Sequence, residues 1–455
     1  MMRSMFSGVS GLKVHQTRMD VIGNNVANIN TVGFKSSRVT FQEVFYQTVS
    51  GASAPDTSTG RGGINPMQIG LGLGLASIDT IMTRGSSERT DNPTDLSIEG
   101  NGFFIVKSSN QDAPKFTRAG NFSLDKLGYL NLNGMIVQGW MDYDLNTGEF
   151  KTEGELVSIN LYEGGPIQNK RIIPPKVTDK ASFSGNLNAK ALSVSDYNAS
   201  VPADQQITLD TLDNAKKAME ILENKQNGST HRTPVTVYDK LGNAHELKLN
   251  FLKQEVVDDG TTVKTTWFVF FDGPDFTHGT ITFDSNGNIV ETTGLDKIVV
   301  TPQGAGTDSF EVTLNFTGLT GYSEDSSVKP TDVNGYPTGT LVNYSIGSDG
   351  VITGVYSNGE KMPLAMIALA YFDNPAGLEK QGENLFLDTP NSGTYVAKKP
   401  GAGVGLLNPG TLEMSNVDLS REFTDMIITQ RGFQANSRII TTSDEMLQEL
   451  VNLKR

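Results

Sequence analysis

The sequence of 455 residues contains no cysteine, only four histidines and only two tryptophans. Without cysteine it forms no disulfide, thiolate metal site or iron–sulfur cluster, and it has no cysteine nucleophile. No two histidines stand at the spacing of a metal-binding motif, and neither a phosphate-binding loop nor a Gly-x-Ser-x-Gly nucleophile elbow occurs. We therefore expect no metal, no cofactor and no catalytic residue, and we predict that the protein is not an enzyme.

Long apolar runs are missing as well. Stretches such as Pro363–Tyr371 are far shorter than the roughly 20 residues that cross a bilayer. In the N-terminal segment, serine and glycine interrupt the apolar residues, so the segment lacks the apolar core of a Sec signal. The net charge of −14 argues against general binding to nucleic acid, which depends on clustered lysine and arginine. We therefore expect neither direct membrane insertion nor a nucleic-acid partner.

Glycine is abundant, with 48 residues, and the middle of the chain consists of short apolar runs between turn signals. Asp95–Lys107 predicts a strand, a glycine-containing turn and a second strand, and Phe116–Trp140 predicts a meander. One helix is predicted over Leu209–Asn224. Further strands are predicted at Val235–Tyr238, Glu246–Leu252, Thr265–Phe271, Gly279–Phe283, Ser309–Phe316, Met362–Phe372 and Asn384–Leu387.

Both ends of the chain show apolar residues at a spacing of seven, which predicts two helices with apolar seams. For the C-terminal helix, Ser415 or Asn416 is the expected N-cap. Such helices pair with each other or with other copies of the chain, and we predict that the seams mediate self-assembly. The predicted seam residues are Met5, Val9, Leu12, Met19, Ile22 and Val26 at the N-terminus, and Leu419, Phe423, Met426, Phe433, Ile440 and Leu447 at the C-terminus.

The predicted fold class is α+β and multidomain, with long N- and C-terminal helices pairing as a coiled-coil inner domain and nested, mainly-β outer domains. A chain of this length suits about three domains. Gly51–Gly74 and Lys398–Pro409 have the composition of linkers. The predicted domains are residues 1–30 with 410–455 (terminal helices), 31–75 (connecting segment), 76–154 with 356–409 (inner β domain) and 155–355 (outer β-rich domain, as one or two subdomains).

Four segments resemble flagellar rod, hook and hook-associated proteins. Asn24–Lys35 (NNVANINTVGFK) is similar to their N-terminal signature, and Ser415–Arg455 is similar to their C-terminal signature almost throughout. Asp95–Val106 and Phe116–Gly128 also agree with that family. The signature residues are Asn24, Asn25, Asn28, Asn30, Thr31, Gly33, Phe34 and Lys35 in the first turn, and Gln430, Arg431, Gln434, Ala435, Asn436, Ser437 and Arg438 near the C-terminus.

Length separates the branches of this family. Distal rod proteins resemble the ends of the chain but are usually far shorter, whereas about 200 residues intervene here between Gly154 and Thr353. Thr233–Leu247 and Arg61–Leu75 resemble segments of the hook branch. Two alternatives stay open: a distal rod or hook-associated protein with an enlarged outer domain, and a β-rich enzyme or carbohydrate-binding module carried on flagellar-type ends. Some hook proteins of spirochaetes form a lysinoalanine cross-link, which this cysteine-free chain cannot make.

The resemblance implies a structural subunit that assembles into a curved helical tube and acts as a universal joint, transmitting torque from rod to filament. The implied partners are further copies of the chain, the distal rod protein, the hook–filament junction proteins, the hook cap protein and the flagellar type III export apparatus. The implied location is the extracellular hook of the flagellum, reached through type III export without a cleaved Sec signal. The implied process is motility, and no cofactor is implied.

Overall fold

A computed structural model describes residues 2–453 of the chain, except 56–59, 109–112, 145–146, 165–168, 226–227, 259–262, 274–275, 303–305 and 307. The chain forms two compact units. The first unit comprises Met1–Lys170, Asn343–Gly354 and Lys361–Arg455, and the second comprises Arg171–Val342 and Val355–Glu360. The chain thus leaves the first unit, builds most of the second and returns. It has an α+β architecture with a helix at each end and a large, mainly-β middle.

The longest helices lie at the two ends of the chain. Among the described residues, none of the helices combines the length and apolar character needed to span a bilayer. The helices are α1 (Met2–Ala27), α2 (Val194–Ser200), α3 (Leu212–Glu223) and α4 (Leu419–Asn452), with short 3₁₀ turns at Ala203–Gln205 and Pro375–Gly377.

Two predicted helix starts were wrong. The N-cap of α4 is Asp418, whose carboxylate accepts hydrogen bonds from the backbone N–H groups of Ser420 and Arg421. Asn416 does not cap the helix, because its side chain accepts a hydrogen bond from the N–H of Ser36 and donates to the backbone oxygens of Ile81 and Thr83. The helix α3 begins at Leu212 rather than Leu209, because Thr211 caps it through the N–H of Asn214.

The sheet of the first unit has Phe103–Lys107 at its centre, paired with Lys115–Thr117, Met135–Trp140 and Leu369–Tyr371. Aromatic rings that pack edge to face make up much of its core, as between Phe116 and Phe372. The strands of this unit are Ser37–Glu43, Tyr46–Ser50, Met67–Gly70, Leu73–Thr80, Ser87–Arg89, Leu96–Glu99, Phe103–Lys107, Lys115–Thr117, Ser123–Leu124, Leu130–Leu132, Met135–Trp140, Tyr143–Asp144, Glu149–Phe150, Val157–Ser158, Lys361–Ile367, Leu369–Tyr371, Glu379–Gly382, Leu385–Leu387, Val396–Lys398, Leu406–Pro409 and Thr411–Glu413.

The second unit contains a five-stranded antiparallel sheet and a four-stranded sheet, and residues of both sheets share one apolar core around Trp267. Helices α2 and α3 pack on a smaller cluster that includes Leu252, Phe268 and Phe270. The strands are Ile172–Ile173, Lys180–Asn186, Thr230–Tyr238, Ala244–Asp258, Val263–Phe271, His278–Phe283, Ile289–Thr293, Lys297–Val300, Phe310–Thr320 and Lys329–Val333, and the chain passes between the units within Gly339–Ile346 and Val351–Tyr356.

The end of the predicted linker Gly51–Gly74 belongs to paired strands. Ser37–Glu43 pairs with Leu73–Thr80, and Tyr46–Ser50 pairs with Met67–Gly70, which together form the connecting ribbon (residues 37–80). Within Gly51–Gly74, residues 56–59 lie outside the described part of the chain. The end of the other expected linker is also a strand, since Leu406–Pro409 pairs with Leu96–Glu99. A composition rich in glycine and serine therefore does not show that these stretches are linkers over their whole length.

Three hairpin turns share one hydrogen-bonding pattern. Asp125, Asp239 and Asp284 each accept hydrogen bonds from the N–H groups two and four residues further on. Each turn has glycine three residues after the aspartate, with a φ between 80° and 94° that favours glycine. The carboxylate of Asp239 is fully buried and also lies 3.1 Å from Nε2 of His245. Burial alone raises the pKa of Asp239, but the hydrogen bonds from His245, Asn243 and Leu241 outweigh it and hold the pKa well below its usual range.

We expect Asp239→Asn to lower the free energy of unfolding of the second unit by about 2 kcal/mol at pH 7, because the amide loses the charge that these donors stabilise. A depressed carboxyl pKa stabilises the fold above the unfolded-state value of about 4 and loses that effect as the pH falls below it. The difference in the free energy of unfolding between the variant and the wild type should therefore shrink between pH 4 and pH 2. Urea unfolding across this range measures it. Asp284→Asn, at the equivalent position of another such turn where the aspartate is only half-buried, is the control and should change stability far less; equal effects would contradict this account.

Candidate assembly surface and the junction of the chain ends

Helices α1 and α4 contact each other along a stripe of small and polar residues. A Cβ atom placed on Gly11 would lie 2.6 Å from Nδ2 of Asn436, and one placed on Gly8 would lie 3.2 Å from the side chain of Ile440. On α4, Gly432 faces the ring of His15 in the same way, at 2.8 Å. Glycine lets the helix backbones approach closely, while burying little apolar area.

Polar contacts fix the register of the two helices at the end nearest the β sheet. Arg18 donates to Asp425 at 2.9 Å, and Nδ2 of Asn25 donates to Oε1 of Glu422 at 3.1 Å. Burial raises the pKa of Glu422, although the hydrogen bond from Asn25 lowers it in part. A sliding of one helix along the other would break these contacts, so the pairing is specific even though its seam is poor in apolar residues.

Of the twelve predicted apolar seam residues, four are exposed, seven are half-buried and one is buried. Of the six predicted N-terminal residues, Ile22 alone is buried, at 4 % exposure. Phe423, Phe433 and Leu419 on α4 are 50 %, 37 % and 38 % exposed. The structure leaves Val9 exposed as well, and the other predicted seam residues half-buried: Met5, Leu12, Met19, Val26, Met426, Ile440 and Leu447.

Beside apolar residues such as Ile440, which faces Gly8, the two helices contact each other through small and polar residues that the apolar periodicity did not predict. The sequence does contain a second series with a spacing of seven, made of small and polar residues, which indicates this contact between the helices. Its members are Ser4, Gly11, Arg18 and Asn25. Further large apolar residues are exposed on α4, beyond those in the predicted seam. They are Ile427, Ile428, Ile439, Met446, Leu450 and Val451.

The C-terminal signature residues lie in the middle of α4 and are mainly exposed. Asn436 is half-buried against Gly11, and Ser437 is also half-buried. The guanidinium of Arg431 donates to the side-chain oxygen of Gln434 at 3.4 Å, along the helix surface. The exposed members are Gln430, Arg431, Gln434, Ala435 and Arg438.

The N-terminal signature residues end α1 and form the turn that follows. Asn28 donates to the backbone oxygen of Asn24 and accepts from the hydroxyl of Thr31, which closes the helix end, while Asn30 is exposed. The next part, residues 31–37, is called the junction turn below. Gly33 has a φ of 71°, and a Cβ atom there would lie 2.6 Å from the backbone nitrogen of Ala119. Only glycine fits a turn so close to the sheet.

The junction turn is held by side chains from distant parts of the first unit. Lys380 donates to the backbone oxygen of Lys35 at 2.7 Å and lies over the ring of Phe34. Asn384 donates to the backbone oxygen of Val32 at 2.9 Å. Asn416 accepts from the N–H of Ser36 at 2.8 Å and donates to the oxygens of Ile81 and Thr83.

The side chain of Lys35 enters a buried ionic cluster. Its Nζ lies 2.5 Å from Oε1 of Glu413 and 2.9 Å from the backbone oxygen of Thr83. Arg118 lies 3.4 Å from Oε2 of the same Glu413 and stacks over the ring of Phe103, 4.8 Å from its centre. The three charged side chains are 0–2 % exposed. Burial lowers the pKa values of Lys35 and Arg118, and the contacts with Glu413 raise them again in part.

The connecting ribbon carries a second set of exposed apolar side chains. Phe45 is 73 % exposed, and Met67 and Val49 are 58 % and 57 % exposed. Ile64 and Ile69 add to this surface at 61 % and 45 %. Large exposed apolar patches of this kind, here on the ribbon and on α4, are typical of surfaces that contact other chains.

The described residues contain no cluster of three potential metal ligands. The histidines lie apart: His231 contacts the backbone oxygen of Val328, His245 contacts Asp239, and His278 stacks on Phe276. The ring of His15 packs edge to face on Phe41.

Four family profiles match the chain in order. They are described as "Flagella basal body rod protein" (residues 5–35), "Flagellar hook protein FlgE/F/G D1 domain" (97–195), "Flagellar basal body protein FlaE D2 domain" (211–336) and "Flagellar basal body rod FlgEFG protein C-terminal" (408–453). The first profile covers most of α1 and the turn after it, and the last covers α4 and the strand Thr411–Glu413 before it.

Relatives match over their whole length. The chain is 41 % identical to the flagellar hook protein FlgE of Borreliella burgdorferi and 40 % identical to that of Treponema pallidum, and each alignment covers 100 % of both chains. It is 31 % identical to the flagellar basal-body rod protein FlgG of Bacillus subtilis, again over 100 % of both chains. The hook relatives are the more similar, and the chain belongs to the flagellar hook protein family.

Proposed function

We propose that the chain is a structural subunit of the bacterial flagellar hook, which polymerises into a curved helical tube and transmits torque from the rod to the filament. The observation that carries this proposal is the apolar surface of α4, where Phe423, Ile427 and Ile428 are at least half exposed. Burying such side chains contributes roughly 1.5–3 kcal/mol each. An assembled tube gives them partners, which a single subunit does not.

The proposed arrangement places α1 and α4 together as a coiled-coil inner layer of the tube. Within a subunit they pair through the small and polar seam around Gly11 and Asn436. The exposed members of the predicted apolar seam then pack on neighbouring copies. Since glycine weakens an isolated helix by about 1 kcal/mol per residue, α1 gains much of its stability from this packing. Contacts that repeat head to tail without closing produce a helical polymer.

The remaining domains are proposed to form outer layers. We assign residues 1–30 with 410–455 to the inner layer, 31–75 to the connection, 76–154 with 356–409 to the inner β domain and 155–355 to the outer domain. The exposed signature residues Gln430, Arg431, Gln434 and Arg438 are proposed to contact neighbouring copies. The connecting ribbon, with Phe45 at 73 % exposure, is proposed to do the same.

Partners and location follow from membership of the family. We propose that the tube joins the distal rod protein at one end and the hook–filament junction proteins at the other, and that the hook cap protein assists its growth. We further propose that the flagellar type III apparatus exports the subunit to the cell exterior without a cleaved Sec signal. A chain without cysteine suits this route, because it folds after export without oxidation.

A rod protein with an enlarged outer domain is the second candidate. The match to a rod protein over its full length gives it a basis, at 31 % identity. The hook relatives share 41 % and 40 % identity over their full lengths, so the hook is the better-supported role.

Purified subunits, concentrated with a polymerisation-promoting salt such as ammonium sulfate, are expected to form curved tubes of uniform diameter, which electron microscopy detects. Curved tubes support the hook role. Straight tubes of uniform diameter contradict it and favour a rod role, and the lack of any tube from folded subunits contradicts both. A subunit truncated before α4, at residue 414, is the control and should form no tube.

A further inference from the structure

We propose that Lys35, Glu413 and Arg118 form an ionic clasp that fixes how the two chain ends leave the β sheet of the first unit, so that torque passes between helices and sheet without slippage. This role rests on the proposed hook function and adds to it the residues that couple the helices to the sheet.

The clasp joins three segments that are far apart in sequence. Lys35 lies in the junction turn that follows α1, and Glu413 ends the strand that precedes α4. Arg118 follows the strand Lys115–Thr117 in the sheet. A backbone hydrogen bond also links the two chain ends, since the N–H of Gly33 donates to the backbone oxygen of Glu413 at 2.7 Å. Both chain ends and the sheet therefore meet at one carboxylate.

Each oxygen of Glu413 has its own partners. Oε1 accepts from Lys35 and from the N–H of Gly85 at 3.1 Å, while Oε2 faces Arg118. A shift of either chain end would leave a charge unpaired in a site closed to water, which is strongly unfavourable. The clasp is therefore formed completely or not at all, and it sets one position for each chain end.

Stability alone does not account for charged residues here. Buried ion networks are often no more stable than apolar side chains of the same volume, whereas removing one partner is costly because the others stay charged. The cluster holds two cations and one carboxylate, and the adjacent Arg84 is paired with Glu99 at its edge, at 3.4 Å. What the charges add is a defined geometry, which a flexible apolar contact lacks.

The surrounding backbone leaves little room for movement. A Cβ atom on Gly85 would lie 1.9 Å from the backbone oxygen of Met414, next to Glu413. On the other side, a Cβ atom on Gly33 would lie 2.6 Å from the backbone nitrogen of Ala119. The clasp thus lies where three backbone segments are already in contact, which is the geometry needed to transmit a force without bending.

The test compares removal of one charge with removal of all three. Glu413→Gln leaves two buried cations, and we expect a lowered unfolding temperature and faster hydrogen exchange in residues 31–37 and 411–416. The triple variant Lys35→Met, Arg118→Met, Glu413→Leu replaces the cluster with apolar side chains of similar size. We expect its unfolding temperature to return close to that of the wild type.

Function is then measured in a strain of the source bacterium that lacks its own copy of this gene. The triple variant is expected to assemble hooks, yet to lose at least half of the swimming speed of the wild type in viscous medium, where torque is high. Swimming equal to that of the wild type in this medium would overturn the proposal, since apolar packing would then suffice. Arg84→Gln, at the half-exposed edge pair, is the control and should swim normally.

A double-mutant comparison keeps the proposal testable if the triple variant does not fold. Lys35→Met with Glu413→Leu should unfold at a higher temperature than Glu413→Leu alone, because it removes a buried cation that has lost its partner. A double variant no more stable than the single one would overturn the clasp. If the unmodified chain restores no hook in the deficient strain, the proposed function itself fails, whatever the variants do.

Discussion

Replacing Phe433 with aspartate is expected to abolish tube formation while leaving the subunit folded. The side chain of Phe433 is 37 % exposed on α4, so aspartate there is hydrated in the free subunit. In the proposed tube the same position lies in an apolar contact with a neighbouring copy. A buried, unpaired carboxylate costs several kcal/mol, and about 4 kcal/mol per contact raises the concentration needed for assembly roughly a thousandfold.

The measurement is sedimentation of polymer over a range of subunit concentrations, with circular dichroism and thermal unfolding of the same samples. Phe433→Leu keeps the apolar character and should assemble nearly as well as the wild type. Val290→Asp introduces the same charge at a site that is 56 % exposed on the second unit, and it controls for the added charge itself. Normal tubes from Phe433→Asp would show that this face of α4 is not a contact between copies.

Local patterns in the sequence predicted part of the strands. Alternating apolar residues and turn signals located five strands between Thr230 and Thr320, although the structure extends them, as in Ala244–Asp258 for the predicted Glu246–Leu252. They missed others in the same region, such as Ile289–Thr293 and Lys297–Val300. The predicted strand–turn–strand at Asp95–Lys107 is present, but its strands pair with other partners rather than with each other. Pairing between distant strands depends on the packing of the whole sheet, which no local pattern contains.

The junction of the chain ends could not be predicted from hydrophobic pattern. Lys35 and Glu413 are ordinary surface residue types, and their burial depends on a meeting of segments 378 positions apart. Gly33 and Lys35 belong to the family signature, but the resemblance does not explain why these two residue types are needed there. The structure supplies one: Gly33 allows the close approach to Ala119, and Lys35 reaches the buried carboxylate.

The seam between α1 and α4 shows a similar limit. An apolar period of seven predicted two helices with seams, and both helices exist. The contact within the chain also uses glycine, asparagine and charged side chains, beside apolar residues such as Ile440, because these small and polar residues allow close approach and a fixed register. Apolar residues beside this stripe stay accessible. A chain that paired its helices through the apolar residues would cover the surface that we propose for assembly.

Replacing Gly11 with leucine is expected to impair tube formation for a steric reason. Leucine favours a helix over glycine by about 1 kcal/mol, so α1 in isolation gains helical stability. Between the helices, however, the new Cβ would lie 2.6 Å from Nδ2 and 2.8 Å from Cγ of Asn436. Overpacking of this kind costs roughly 1–3 kcal/mol, and the cost recurs in every copy of a polymer. Assembly should therefore need a concentration about 10–100 times higher.

Two further variants separate the steric effect from other causes. Asn436→Ala in the same chain removes the clashing atoms, and we expect it to restore part of the assembly lost in Gly11→Leu. Gly23→Leu makes the same exchange in α1 where no neighbouring atom of the described chain lies within 4 Å of the added Cβ, so tubes should still form. Assembly of Gly11→Leu at the wild-type concentration would contradict the close pairing of α1 and α4. Loss of assembly in all three variants would point instead to a requirement for glycine along the whole of α1, unrelated to Asn436.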